Sequence, residues 1–311
     1  MSQQANISVG AMASLRRALI HLRLRFSIVL SPLFLWGVYL ADPAVMPWLH
    51  LLAAYLIIHI PLYGGMNAFN SYYDRDEGPI GALLEPPPVD RTVLVLALLC
   101  KALALLAGFA IDIRFGLLVG AGIILSVLYS HPHFHWKGRP ILAAVCIFVM
   151  QGVIAVLWGW TAATWTPEPV GMPGRMWPPG LLGALGVFSA ALWTLGFYPL
   201  TGVYQIAQDR RMNVRTLAVA LDVNGSFGFA AVVALLGGLG IFLVLAARGA
   251  YPALILSAGY VLAATVFTWR WYRRFATLSD RENQHILMRL SYSNGWVFAL
   301  LFLGLVLWQA R

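Results

Sequence analysis

Long apolar runs separated by short polar connections make up most of this chain. A helix needs about 20 apolar residues to cross the bilayer core. By that measure nine helices are predicted, at about 24–41, 48–70, 92–112, 114–130, 140–163, 180–204, 226–247, 251–271 and 286–309. The third and fourth are separated only by a tight turn at Asp112-Ile113-Arg114. The pattern predicts an all-α membrane protein with nine transmembrane helices. It is read as a single domain over 1–311.

Composition supports the membrane assignment. The 311 residues are 60% hydrophobic and 11% charged, against roughly 25% charged in soluble domains. The net charge of +9 would suit nucleic acid, but the basic residues sit in the short connections, which is a topology signal and excludes that partner. With the N-terminus in the cytoplasm, 16 Lys and Arg fall on the inside, among them Arg16, Arg17, Arg23, Arg25, Arg75 and Arg91. Four fall outside (Arg114, Arg175, Arg248 and Arg311), and Lys101 lies within a segment. That bias sets the orientation, and an odd number of spans puts the C-terminus outside. The expected location is a bacterial inner membrane. Residues 1–23 form a basic cytoplasmic segment without a cleavable-signal pattern, either an amphipathic helix on the inner leaflet or a simple positive flank. Cys100 and Cys146 sit inside apolar runs, where they pack as small hydrophobes.

Three inside loops, 71–91, 131–139 and 205–225, hold the polar chemistry. The outside loop 164–179 is Pro-rich and Trp-bearing and reads as an interfacial linker. Asn70-Ser71-Tyr72-Tyr73-Asp74-Arg75-Asp76-Glu77 closes the second run, and Gln205-Ile206-Ala207-Gln208-Asp209-Arg210-Arg211 closes the sixth. Asn70 and Asp74 are four apart, as are Gln205 and Asp209, so each pair shares a helix face. On a continuing helix Asp76 points elsewhere. Gly78-Pro79 ends that helix, and a turn there would bring Asp76 or Glu77 back. Each cluster thus offers one amide and one carboxylate, an all-oxygen set that suits Mg²⁺. Solvated salt bridges with Arg75, Arg210 and Arg211 are the competing explanation, favoured for one cluster and disfavoured for two matching ones. A polar cluster after both the second and sixth runs also gives a faint internal repeat, and membrane folds often place sites between repeats.

The third loop, Tyr129-Ser130-His131-Pro132-His133-Phe134-His135-Trp136-Lys137-Gly138-Arg139-Pro140, supplies positive charge. Lys137 and Arg139 suit phosphate; ordinary positive-inside flanking is the alternative. The alternating histidines fit no standard structural zinc site. Lys101 lies near the bilayer midplane, where it faces a partner or cavity or else snorkels to the interface. Trp158, Trp160, Trp193 and Tyr198 read as packing or interfacial belt, and some would suit an isoprenoid channel or a carbocation.

With these motifs the chain resembles the UbiA superfamily of intramembrane prenyltransferases, over essentially its whole length. The family's Asn-Asp-x-x-Asp-x-x-x-Asp motif after the second helix is matched by Asn70, Ser71, Asp74 and Gly78. Its Asp-x-x-x-Asp motif after the sixth is matched by Gln205 and Asp209. The stretch Asp209–Val219 also resembles the family, with Asn213 where Gly is usual, and Tyr129-Ser130 with Lys137 resembles its third polar loop. Ser71, Gly78 and Gln205 each stand where the family carries Asp; Asp76, Glu77 and Gln208 are the candidate substitutes.

The resemblance implies that the nine transmembrane helices surround a central cavity with a cytoplasm-facing polar cap. It also implies Mg²⁺-dependent transfer of a prenyl group from a prenyl diphosphate to a lipophilic acceptor, aromatic or otherwise. Asp74, Asp209 and Lys137 are then the catalytic residues. Asn70, Tyr129, Ser130, Lys137, Arg139, Arg210 and Arg215 bind diphosphate, and Asn70, Asp74, Asp76, Gln205 and Asp209 hold metal. The alternatives are a terpene cyclase of the same scaffold, which ionises and cyclises a prenyl diphosphate without an acceptor, and a non-enzymatic transporter. Membrane lipid is the surrounding partner, and no obligatory protein partner is evident.

Overall fold

Helices satisfy their own backbone in hydrocarbon, and the chain uses almost nothing else. The computed structural model describes residues 2–76, 78–165 and 175–311, with side chains for all of these except 2–9 and 11. Glu77 and much of the 164–179 linker lie outside the described residues. Nine helices among the described residues are long and apolar enough to span a membrane: Met12–Ala41, Trp48–Asp74, Arg91–Ile111, Ile113–Ser130, Pro140–Ala163, Gly180–Arg211, Leu217–Ala247, Tyr251–Thr277 and Asp280–Gln309.

Several helices run past the apolar stretches that reveal them. The second and sixth continue through the polar clusters to Asp74 and Arg211. The ninth starts at Asp280 instead of 286, because Ser279 and Glu282 form a reciprocal capping box. The seventh starts at Leu217 instead of 226, where the Thr216 hydroxyl accepts from Val219 N. Asp222, at φ 56°, interrupts its first turns.

The first span departs most from expectation, starting at Met12 instead of 24. Residues Ser2–His21 form a helix of their own. It breaks at Arg23, which takes the left-handed conformation with φ 49°, and restarts at Leu24. The basic segment is therefore a packed helix. Ala18, His21 and Leu22 are buried while Met12, Leu15 and Leu19 are exposed. Arg17 pairs with Asp90 at 3.2 Å, and the Ser14 hydroxyl donates to the same carboxylate.

Close packing fixes the core. A Cβ on Gly37 would overlap Val156 O, and one on Gly159 would overlap Phe34 O. These two glycines let the first and fifth spans touch backbone to backbone. Seven spans line a central cavity; among the described residues the third and eighth contribute nothing to its wall. Two of the lining helices carry π-helical turns, Ile58–Leu62 around Pro61 and Phe148–Ile154.

Candidate functional site

At one end of the bundle the cavity is polar. The second span stops where Arg75 adopts φ 49°, which turns the chain back and sets Asp76 in the cavity wall beside Asn70 and Asp74. Gln205 and Asp209 come from the end of the sixth span, and Lys137 from the short helical turn Trp136–Gly138. The two carboxylate clusters, 135 residues apart in sequence, thus share one wall.

The side chains form a defined network. Ser130 Oγ donates to Asn70 Oδ1 at 2.9 Å, and Asn70 Nδ2 donates to Asp74 Oδ2 at 2.8 Å. Lys137 Nζ pairs with Asp74 Oδ1. In the second cluster, Thr216 Oγ1 donates to Asp209 Oδ2 at 2.9 Å, and Gln205 Nε2 donates to Pro79 O at 3.0 Å. Asn213 turns the chain between Asp209 and Thr216 with φ 56°, a conformation that suits the glycine usual there.

Residues 79–81 roof this end. Besides Gln205, the roof is tied by Gln284 Nε2 donating to Ile80 O at 2.9 Å and Arg23 donating to Gly81 O at 3.4 Å. Arg23 also donates to Asn67 O at 3.0 Å and lines the cavity. Its place in the wall was invisible in the sequence, where it reads as one more flanking base. The left-handed residue in a basic stretch is a backbone feature with no Gly or Asn to announce it.

Electrostatics favour a cation here. Burial pushes the Asp76 carboxyl up to about 6, with the Asp74 and Asp209 carboxylates adding to the rise and Lys137 and Arg23 opposing it. Three carboxylates therefore feel one another in a partly desolvated space, which is where a hard cation is stabilised. The donors are all oxygen. Among the described residues no three His, Cys, Asp or Glu side chains meet as a ready cage. A metal held here takes part of its shell from water or ligand oxygens, as Mg²⁺ commonly does.

Not every sequence candidate reaches the cavity. Arg139, Arg210 and Arg215 are exposed and outside its lining; Arg210 pairs with Asp222 at 3.4 Å on the surface. Ser71 is buried against neighbouring helices, and Gly78 lies beside Gln208. Neither lines the cavity, and Asp76 does.

Beneath the polar end the wall becomes aromatic and aliphatic. Tyr129 OH and Tyr198 OH meet at 2.9 Å, and Trp193 packs on Phe197 and Phe298. Trp36 and Phe302 line the far end, with ring centroids 4.9 Å apart. The whole cavity holds about 370 Å³, within the usual range for small-molecule sites. Trp158 and Trp160 are buried in the core instead. Lys101 does not snorkel: it is buried, donates to Ser126 Oγ at 2.9 Å and lies over the Phe69 ring.

A family model described as the UbiA prenyltransferase family matches residues 30–293. A lycopene elongase/hydratase from Haloferax volcanii is 28% identical over 160 residues, 50% of this chain. The match spans 46% of that protein, so this chain covers about half the length of its curated relative. A UbiA homolog from Archaeoglobus fulgidus, solved bound to GPP and Mg²⁺, superposes with a TM-score of 0.68 at 17% identity, over 93% of this chain and 99% of that one. Its structure bound to DMAPP and Mg²⁺ gives 0.67 at 16% identity, again over 93% and 99%. At such identity these likenesses show the fold.

Proposed function

The chain belongs to the UbiA prenyltransferase family, and from that premise we propose that it transfers a prenyl group from an isoprenoid diphosphate to a lipophilic acceptor within the membrane. The observation that supports this most is the meeting of Asp74, Asp76, Asp209 and Lys137 at the polar end of an otherwise apolar cavity. The Archaeoglobus fulgidus homolog bound to GPP or DMAPP with Mg²⁺ supports the same donor class and metal.

When bound, Mg²⁺ supplies Lewis-acid stabilisation of the leaving diphosphate. Asp74, Asp76 and Asp209 are the carboxylates that would hold it, with the oxygens of Asn70 and Gln205 beside them. Lys137 exchanges its contact with Asp74 for the diphosphate, and Arg23 adds a second fixed positive charge to the same wall. Tyr129 and Ser130 offer hydroxyls to the diphosphate. As the C–O bond breaks, the allylic carbon becomes electron-poor. The apolar chamber keeps water from it, and the Trp193 and Tyr198 faces stabilise its positive charge. The acceptor forms a bond to that carbon and loses a proton. The bias of 16 inside Lys and Arg over four supports a cytoplasmic polar end and N-terminus, in an inner membrane.

The aromatic wall of Trp36, Trp193, Phe298 and Phe302 also supports a second reading, cyclisation of the donor without an acceptor. Purified protein incubated with GPP and Mg²⁺ separates the two. Diphosphate release that waits for an added acceptor supports transfer; cyclic products without acceptor support cyclisation. No diphosphate release under either condition would overturn both.

A further inference from the structure

A hydrocarbon tail asks nothing polar of the wall that holds it, so unpaired amides there need a reason. Gln151, and the side-chain nitrogen of Asn294, are two such groups among the described residues. Each lies near the middle of its span, far below the carboxylates, and each lines the cavity. Gln151 projects from the π-helical turn Phe148–Ile154, and its side chain makes no hydrogen bond among the described residues. Such turns re-aim side chains and frequently occur at functional positions.

Asn294 is only 8% exposed. Its Oδ1 accepts from Tyr260 OH, on the eighth span, at 2.7 Å. An amide group is planar, with acceptor and donors on opposite branches. Tyr260 therefore fixes the plane and leaves Nδ2 without a protein partner among the described residues, on a residue that lines the cavity. Helix-to-helix adhesion explains a Tyr–Asn hydrogen bond in a membrane. It does not explain the unpaired Asn294 nitrogen, nor the unpaired Gln151 on a different helix.

We propose that Gln151 and Asn294 are specificity-determining residues that hold an oxygen substituent of the lipophilic acceptor, with Tyr260 as the positioning residue for Asn294. The assignment rests on the prenyl-transfer reading above. It makes the acceptor a lipid bearing a hydroxyl or carbonyl, and it disfavours a plain hydrocarbon, which would leave Gln151 and the Asn294 nitrogen unpaired.

Binding tests this without turnover. Tritiated 4-dodecylphenol and dodecylbenzene differ by one hydroxyl, and each is measured on protein in lipid nanodiscs against protein-free discs. The wild type is expected to prefer the phenol about tenfold, the size of one neutral hydrogen bond. Asn294→Leu and Gln151→Leu should each lose most of that preference and keep dodecylbenzene binding. Tyr260→Phe leaves every cavity-lining residue in place and should lose about threefold; it carries the test if the leucine variants do not fold. Equal preference in wild type and variants, or no preference in the wild type, would overturn the assignment. A wild type that binds the phenol selectively but releases no diphosphate from GPP and Mg²⁺ would overturn the prenyl-transfer reading and the name acceptor, and leave the oxygen-binding site standing.

Discussion

Two acid–base pairs shielded from most solvent lie at opposite ends of this bundle, and they are built differently. At one end Asp112 accepts from Arg114 N at 2.7 Å, from Phe115 N at 3.2 Å and from the Arg114 guanidinium at 3.0 Å. The same guanidinium reaches Arg175 O and Thr164 O. Asp112 also caps the fourth span, so this pair is saturated by donors from its own turn. At the other end Asp74 receives, among the described residues, one hydrogen bond, from Asn70, and the charge of Lys137. Lys137 comes from a separate loop, and two further carboxylates crowd the same space. A saturated pair holds structure, whereas an under-satisfied one keeps capacity for a ligand.

The contrast predicts that the two pairs fail in different ways. Asp74→Ala should lower diphosphate release from GPP about a thousandfold, since it removes a proposed metal ligand and the partner of Lys137, and should leave thermal unfolding nearly unchanged. Asp112→Ala should do the reverse. It strands a buried guanidinium and should lose about 3 kcal/mol of stability, read from unfolding in detergent, with kcat retained at low temperature. Equal effects of the two variants on both measurements would erase the distinction.

Lys137→Met removes one positive charge from the polar end of the cavity, the proposed place of the leaving diphosphate, and should cost about a hundredfold in kcat, with a smaller change in KM for the donor. Gln205→Asp sharpens the comparison by adding a carboxylate to the second cluster, at the loss of the bond to Pro79 O. It should lower the Mg²⁺ concentration for half-maximal activity about fivefold. The smallest effect belongs to Asp90, which serves neither pair. The Ser14 hydroxyl and Arg17 hold its carboxyl down at about 2. Its unfolded value is about 3.9, so its contribution is complete above that pH and disappears as pH falls toward 2. Because the pair is about one-third exposed, Asp90→Asn should change stability by less than about 1 kcal/mol at pH 7, and the difference from wild type should vanish in acid.

How legible the site was varied by residue. Asn70 with Asp74, and Gln205 with Asp209, could be paired from their spacing, because four residues is one helical turn. Asp76 required the turn at Arg75, whose φ of 49° follows from no residue preference. The basic candidates were the least legible. Lys137 reaches the cavity while Arg139, two positions on, is exposed. Periodicity says nothing about side chains in a nine-residue loop. The ends of the seventh and ninth helices were displaced because caps at Thr216 and Ser279, rather than apolarity, start them.

The sequence by itself determined that nine helices cross the membrane and that carboxylates close the second and sixth of them. Those properties follow from bilayer thickness and from the cost of burying charge, which act on each segment alone. Tertiary structure decided that the two clusters face one cavity, that Arg23 joins them through a break in the first helix, and that Gln151 and Asn294 share its apolar wall. Which face of a helix meets a cavity depends on its rotation against its neighbours. In lipid that rotation is set by close packing, such as Gly37 against Val156 and Gly159 against Phe34, and not by any hydrophobic stripe.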